Sequence, residues 1–121
     1  LKTILIVDDH FEIRELLKDT LGDQDYEILF SENGKQAVAK AKKVKPDLII
    51  MDIMMPGRIN GIEATEIIKS DSEAHKCKII ILSAKGKDKD KIDALKAGAS
   101  AFVEKPFSPV KLLSKIQTLL E

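Results

Sequence analysis

A chain of 121 residues with 44% apolar content makes one domain, residues 1–121, around a single core. Its 20 basic and 20 acidic side chains cancel, which leaves no net field for nucleic acid or an anionic lipid surface and argues against a direct nucleic-acid partner. The apolar runs are strand-sized, no leader pattern opens the chain, and Cys77 is the sole cysteine, so the expectation is a cytoplasmic chain with no membrane association, disulfide or redox chemistry.

Ile4, Leu5, Ile6 and Val7 run in succession from Lys2 and stop on Asp8 and Asp9, the pattern of a strand buried on both faces. Ile13, Leu16, Leu17 and Leu21 then fall at helical spacing between Phe11 and Leu21, with Gly22 as the stop. Tyr26 to Phe30 is a shorter strand, and Gly34 opens a helix whose inward face is Ala37, Val38, Ala41 and Val44 and whose outer face is mostly lysine; Pro46 ends it. The third strand, Leu48 to Asp52, is solid apolar until it meets its carboxylate. A loop with Pro56, Gly57 and Gly61 leads to a helix carrying Ile62, Thr65, Ile67 and Ile68, and Lys78 to Ser83 is the fourth strand. The charged run from Lys85 to Lys91 reads as a solvated loop and helix face, continuing through Ile92 and Leu95 to Gly98. Ala101 to Glu104 is a small fifth strand, and Ser108-Pro109 starts a last helix with Val110, Leu112, Leu113, Ile116, Leu119 and Leu120 inside.

Strands alternating with helices predict parallel βαβ units, an α/β doubly wound, flavodoxin-like sandwich of five strands in the order 2-1-3-4-5 with five helices. In that order the first and third strands are neighbours about 4.8 Å apart, so Asp8, Asp9 and Asp52 converge at the carboxyl edge of the sheet, where open α/β sheets bind ligands. Two carboxylates about 5 Å apart repel by roughly 3 kcal/mol at an effective dielectric near 20. A hard divalent cation offsets this, Mg²⁺ suiting an all-oxygen site and Mn²⁺ able to replace it; one retained proton would do so without a metal. Taken singly, each group has a plainer reading: Asp9 with Glu12 matches a capping box, strand-end aspartates form turns, Ser83 is a turn hydroxyl, Lys105 a surface charge and Phe102 a core aromatic. Together at one edge they favour a site in which Asp52 accepts a phosphoryl group, the Lys105 ammonium faces its oxygens and the Ser83 hydroxyl donates to one.

The motifs VDD at Val7 to Asp9, MDIMMP at Met51 to Pro56, LSA at Leu82 to Ala84 and EKPF at Glu104 to Phe107 resemble, in order and over the whole chain, the receiver domain of bacterial two-component response regulators. The resemblance implies that Asp52 takes its phosphoryl group from a histidine kinase or a phosphotransfer protein, in a phosphoacceptor switch rather than a turnover enzyme. It implies Mg²⁺ on Asp9 and Asp52, on Asp8 partly through water, and on the backbone carbonyl of Met54. Ser83 would move toward the phosphate and Phe102 turn inward, switching a face of the fourth helix, fifth strand and fifth helix for a downstream effector protein or domain, or for phosphorylation-dependent homodimerisation. The family also has a cis bond at the position of Lys105-Pro106.

Three departures stand out. The loop from Gly57 to Gly61 is one residue longer than the common form, which puts partner contacts near the third helix in question. The switch hydroxyl is serine where threonine is also common. Met54 and Lys85 occupy positions that in the family tune phosphate loss, and because Met54 offers no polar group to orient water, slow self-dephosphorylation is expected. A haloacid-dehalogenase-type phosphatase expects a second aspartate where Met54 stands; a flavodoxin-like carrier expects a phosphate-cradling loop and flavin-flanking aromatics; a P-loop enzyme expects GxxxxGK[ST]. The remaining rival is a degenerate receiver that binds partners without phosphorylation. Kinase, stimulus and output are not written in the residues. The opening Leu1 suggests a trimmed or excised piece and leaves open a free-standing regulator or a domain of a larger one. His10 and His75 read as surface residues, with His10 close enough to the acidic cluster to tune metal access.

Overall fold

An unbroken apolar strand has side chains on both faces, so helices must cover both sides of the sheet. That is the arrangement in the computed structural model, which describes residues 1–22, 25–84 and 88–121. The strands β1 (Lys2–Val7), β2 (Tyr26–Ser31), β3 (Leu48–Asp52), β4 (Lys78–Ala84) and β5 (Ala101–Lys105) alternate with α1 (Phe11–Leu21), α2 (Gly34–Val44), α3 (Gly61–Ser70), α4 (Asp88–Ala97) and α5 (Pro109–Leu120). The sheet is parallel throughout, in the order β2-β1-β3-β4-β5.

The period-2 alternation of each strand splits the core in two. Leu5, Val7, Ile49, Met51, Ile79 and Ile81 face α2, α3 and α4, which meet them with Ala37, Ala41, Ala64, Ile68 and Ala94. Ile4, Ile6, Leu48, Ile50, Ile80 and Leu82 face α1 and α5, which supply Leu17, Leu21, Leu112 and Ile116. Each of these large side chains contributes about 1.5–3 kcal/mol on burial, ahead of the entropy it must offset.

Some predicted core positions lie outside. Val110 is 77% exposed because it sits about half a turn out of phase with Leu112 and Ile116, and Val44 is 38% exposed because α2 ends there, Lys45 adopting the left-handed conformation (φ 53°) ahead of Pro46. Leu16, in phase with neither Leu17 nor Leu21, is 47% exposed. Two helix starts carry strong caps: Asn60 and Glu63 form a reciprocal capping box on α3, and the Asn33 side chain accepts from the Gln36 amide at 2.9 Å on α2. Ser108 and Pro109 start α5 as the sequence predicts.

At the amino edge of the sheet Asp47 ties three segments together. Its Oδ2 accepts from the Thr3 amide at 2.8 Å, its own amide donates to the Thr3 carbonyl at 2.9 Å, and its carbonyl accepts from the Lys78 amide at 3.0 Å. Nearby, the Lys69 ammonium donates to the carbonyls of His75 (3.0 Å) and Cys77 (2.5 Å). On the border strand β2, the Lys40 ammonium donates to the Phe30 carbonyl.

Candidate functional site

Val7 pairs with Met51 across β1 and β3, so the next residues, Asp8 and Asp52, emerge side by side at the carboxyl edge. Both are carried into the protein, Asp8 at 1% and Asp52 at 6% exposure. Lys105 ends β5 and pairs with Ala84 in register. Its ammonium lies 3.3 Å from Asp52 Oδ2 and 3.5 Å from Asp8 Oδ2, bridging the two carboxylates. The Lys105-Pro106 bond that follows is cis.

Asp9 does not cap α1. The N-cap is His10, which makes no side-chain capping bond, so the capping-box reading of Asp9 and Glu12 gives way and the Asp9 carboxylate, 30% exposed, is free to face the cluster. The His10 amide donates to Asp8 Oδ1 at 2.8 Å, and the imidazole Nδ1 lies 3.1 Å from that oxygen and 3.3 Å from Asp9 Oδ1. Carboxylate oxygens of Asp8, Asp9 and Asp52 and a ring nitrogen of His10 all fall within 4.8 Å of one another.

Burial is the largest influence on the Asp52 carboxyl and pushes its pKa up; the Lys105 charge opposes this, and the Asp8 charge adds to it. The His10 imidazole is raised chiefly by its bond to Asp8, then by the charges of Asp9 and Asp8. Asp8 Oδ2 is buried and, among the described residues, has no hydrogen bond and is met by the 3.5 Å ion pair with Lys105. Lys105 offsets only part of the charge of three carboxylates gathered within 4.8 Å, and hard oxygen donors of this number suit Mg²⁺. The donor set therefore fits the cation that the sequence pattern implies.

Two supports were not foreseen from sequence. Arg14 Nη1 donates to the Asp8 carbonyl at 2.7 Å, with its guanidinium 5.8 Å over the Phe11 ring and Nη2 3.8 Å from Glu32, which fixes the turn bearing both aspartates. A basic residue in the second turn after an acidic pair was the only available signal. Behind Asp52, the Gly61 amide donates to the Ile53 carbonyl at 2.9 Å, and a Cβ at Gly61 would lie 2.1 Å from the Asp52 carbonyl oxygen. Only glycine lets α3 start this close to the acceptor strand.

Ser83, buried at 3%, lies one residue past Leu82, the register partner of Asp52, and its hydroxyl donates a long 3.4 Å bond to the Ala84 carbonyl. Phe102 is half-buried against the α2–α3–α4 side of the core, paired in register with Ile81. The Met54 side chain is 77% exposed. Lys85 lies outside the described residues.

Residues 4–117 match the family described as the response regulator receiver domain. The chain belongs to that family. As a receiver it is similar to the chemotaxis protein CheY of Thermotoga maritima, 44% identical over 117 residues that cover 95% of this chain and 94% of that protein. It is also similar to the phosphate regulon transcriptional regulatory protein PhoB of Pseudomonas aeruginosa, 44% identical over 98% of this chain but 52% of that protein, so the receiver spans about half the length of that relative. Among solved structures, the receiver domain of sensor histidine kinase PA1611 from Pseudomonas aeruginosa superposes with a TM-score of 0.89 at 28% identity, covering 98% of this chain and 97% of that one. That neighbour has a magnesium ion coordinated in its active-site cleft. Among the described residues, no helix of this receiver is long and apolar enough to cross a membrane.

Proposed function

We propose that this receiver is the phosphoacceptor of a two-component phosphorelay in the cytoplasm, with Asp52 modified by a phosphohistidine on a histidine kinase or phosphotransfer protein. The observation that carries the reading is the Lys105 ammonium 3.3 Å from Asp52 Oδ2 and 3.5 Å from Asp8 Oδ2, at a strand end where Asp52 is only 6% exposed. In-line attack by an Asp52 carboxylate oxygen forms a P–O bond as the P–N bond to the donor imidazole breaks. Such a transfer asks the protein to position groups and neutralise charge more than to do covalent chemistry. Lys105 neutralises one side. Asp8, Asp9, Asp52 and the Met54 carbonyl would hold Mg²⁺, or Mn²⁺ in its place, which supplies the remaining positive charge when bound. The domain alters only its own phosphorylation state and is a switch rather than a turnover enzyme.

Phosphorylation adds negative charge and strong acceptors at the end of β3. The weak 3.4 Å bond of Ser83 is readily exchanged for one to a phosphoryl oxygen, and the half-buried Phe102 would turn into the space the hydroxyl leaves. Beside Phe102 a cleft of about 380 Å³ is lined by Lys91 of α4, Pro106, Phe107 and Lys111 and Lys115 of α5. Ile92 and Leu95 of α4 and Val110 of α5 are also exposed apolar residues, which suits a face for a downstream effector or a phosphorylation-dependent second copy. The loop Gly57 to Gly61 packs Ile59 against Gly34 of α2, so its extra length alters the surface next to the site and leaves the acceptor geometry intact.

Incubation with acetyl phosphate and Mg²⁺, followed by peptide mass mapping, is expected to place one phosphoryl group on Asp52. A folded, Mg²⁺-saturated protein that stays unlabelled would favour the rival, a receiver that binds partners without modification.

A further inference from the structure

His10 has no part in the phosphoryl transfer proposed for Asp52 and Lys105. It holds the N-cap position of α1, where Ser, Thr, Asp or Asn would satisfy the free helix amides, yet its side chain makes no capping bond. The imidazole, 61% exposed, turns the other way, placing Nδ1 3.1 Å from Asp8 Oδ1 and 3.3 Å from Asp9 Oδ1. The 3.1 Å contact is a hydrogen bond here, and both separations also match those of neighbouring ligands: two donors about 2.1 Å from one ion lie about 3.0 Å apart at a right angle and about 3.4 Å at the tetrahedral angle. Lys105 approaches the opposite oxygens, Oδ2 of Asp8 and Oδ2 of Asp52, so it leaves the Oδ1 side of Asp8 to His10. The buried Asp8 Oδ2 has no hydrogen bond among the described residues and only Lys105 beside it at 3.5 Å, which leaves it acceptor capacity toward a bound cation.

We propose that His10 is a nitrogen donor to the cation held by Asp8, Asp9 and Asp52, and that it biases this site toward imidazole-binding transition metals over Mg²⁺. The proposal rests on the metal reading above and deepens it. Mg²⁺ keeps oxygen ligands and several waters, so exchanging a water for an imidazole adds little to its binding. For Co²⁺, Ni²⁺ or Zn²⁺ the same exchange replaces a weak ligand with a favoured one. A His10 that served only as a hydrogen-bond partner of Asp8 would shift the affinity of all divalent ions alike, by changing the charge on the carboxylate.

The test is calorimetric titration with Co²⁺ and with Mg²⁺ in a His75→Ala background, which removes the other histidine. His10→Ala is expected to weaken Co²⁺ roughly tenfold or more while moving Mg²⁺ less than about twofold. His10→Gln, which keeps a polar group but no ring nitrogen, should match His10→Ala. The Co²⁺ form should also show a hyperfine-shifted, exchangeable imidazole N–H proton that both variants lack. Equal losses for both ions, no loss for either, or a glutamine variant that keeps full Co²⁺ affinity overturns the proposal while leaving the Mg²⁺ site standing. Absence of Mg²⁺ binding to the parent protein would instead remove the site itself.

Discussion

Asp47 and Asp8 are both aspartates at the ends of strands, one at each pole of the sheet, and their surroundings are opposite. Asp47 exchanges hydrogen bonds with Thr3 and Lys78 through its side chain, amide and carbonyl, so its polar atoms are spent on joining β1, β3 and β4. Asp8 is more deeply buried, keeps Oδ2 without a hydrogen bond, and stands within reach of Asp52, Asp9 and Lys105. A carboxylate spent on backbone hydrogen bonds stabilises a fold; one crowded among like charges is stabilised by whatever cation binds it. The amino pole is closed on itself, and the carboxyl pole is left open to the ion and phosphoryl group proposed for it.

The sharpest way to break this contrast is Asp52→Asn, which should abolish labelling by acetyl phosphate entirely while the protein still melts cooperatively. Burial raises the Asp52 pKa in the fold, so the native state holds its proton more tightly than the unfolded chain does. Relative to the asparagine variant, the parent should therefore lose stability as pH rises from the ordinary aspartate value through the raised one, and stay less stable above it. Thermal melts of both proteins across acidic to neutral pH, in chelator, check the sign.

Lys105→Ala removes the cation between the carboxylates and should slow phosphoryl transfer about 10²–10³-fold, read as the initial labelling rate at saturating Mg²⁺. Gly61→Ala couples the poles of the contrast: overpacking against the Asp52 carbonyl should cost about 1–3 kcal/mol in denaturant unfolding and reduce labelling as well. Asp47→Ala, leaving the Thr3 amide without its acceptor, should cost a similar 1–3 kcal/mol, about what an orphaned buried donor costs, with labelling unchanged. The smallest effect is expected at Met54, whose exposed apolar side chain cannot orient water. The phosphorylated protein should persist for minutes or longer, and Met54→Asn should shorten its half-life several-fold, followed by loss of label after removal of donor.

The strands and the strand order were legible because runs such as Ile4 to Val7 and Ile79 to Leu82 admit no half-exposed reading, and alternation with helices then leaves few topologies. The convergence of Asp8, Asp52 and Lys105 followed from that order. What the residues did not disclose depends on side-chain direction. Asp9 and Glu12 have capping-box spacing, but the chain turns one residue later, so His10 takes the cap position and Asp9 is released toward the cluster. Arg14 looks like any surface cation of an amphipathic helix until the fold brings the Asp8 carbonyl within 2.7 Å. Val110 is apolar in sequence and open to water in the fold, on the helix that lines the cleft beside Phe102, where packing within the domain is not what selects it.

The lysine that reaches over β2 has a further effect. A border strand offers its backbone to any passing chain as a template, and Lys40, anchored on the Phe30 carbonyl, puts a hydrated charge in the way. Replacing it with an apolar residue would leave one side of the sheet unguarded. The charge thus acts as a barrier against edge-to-edge self-association.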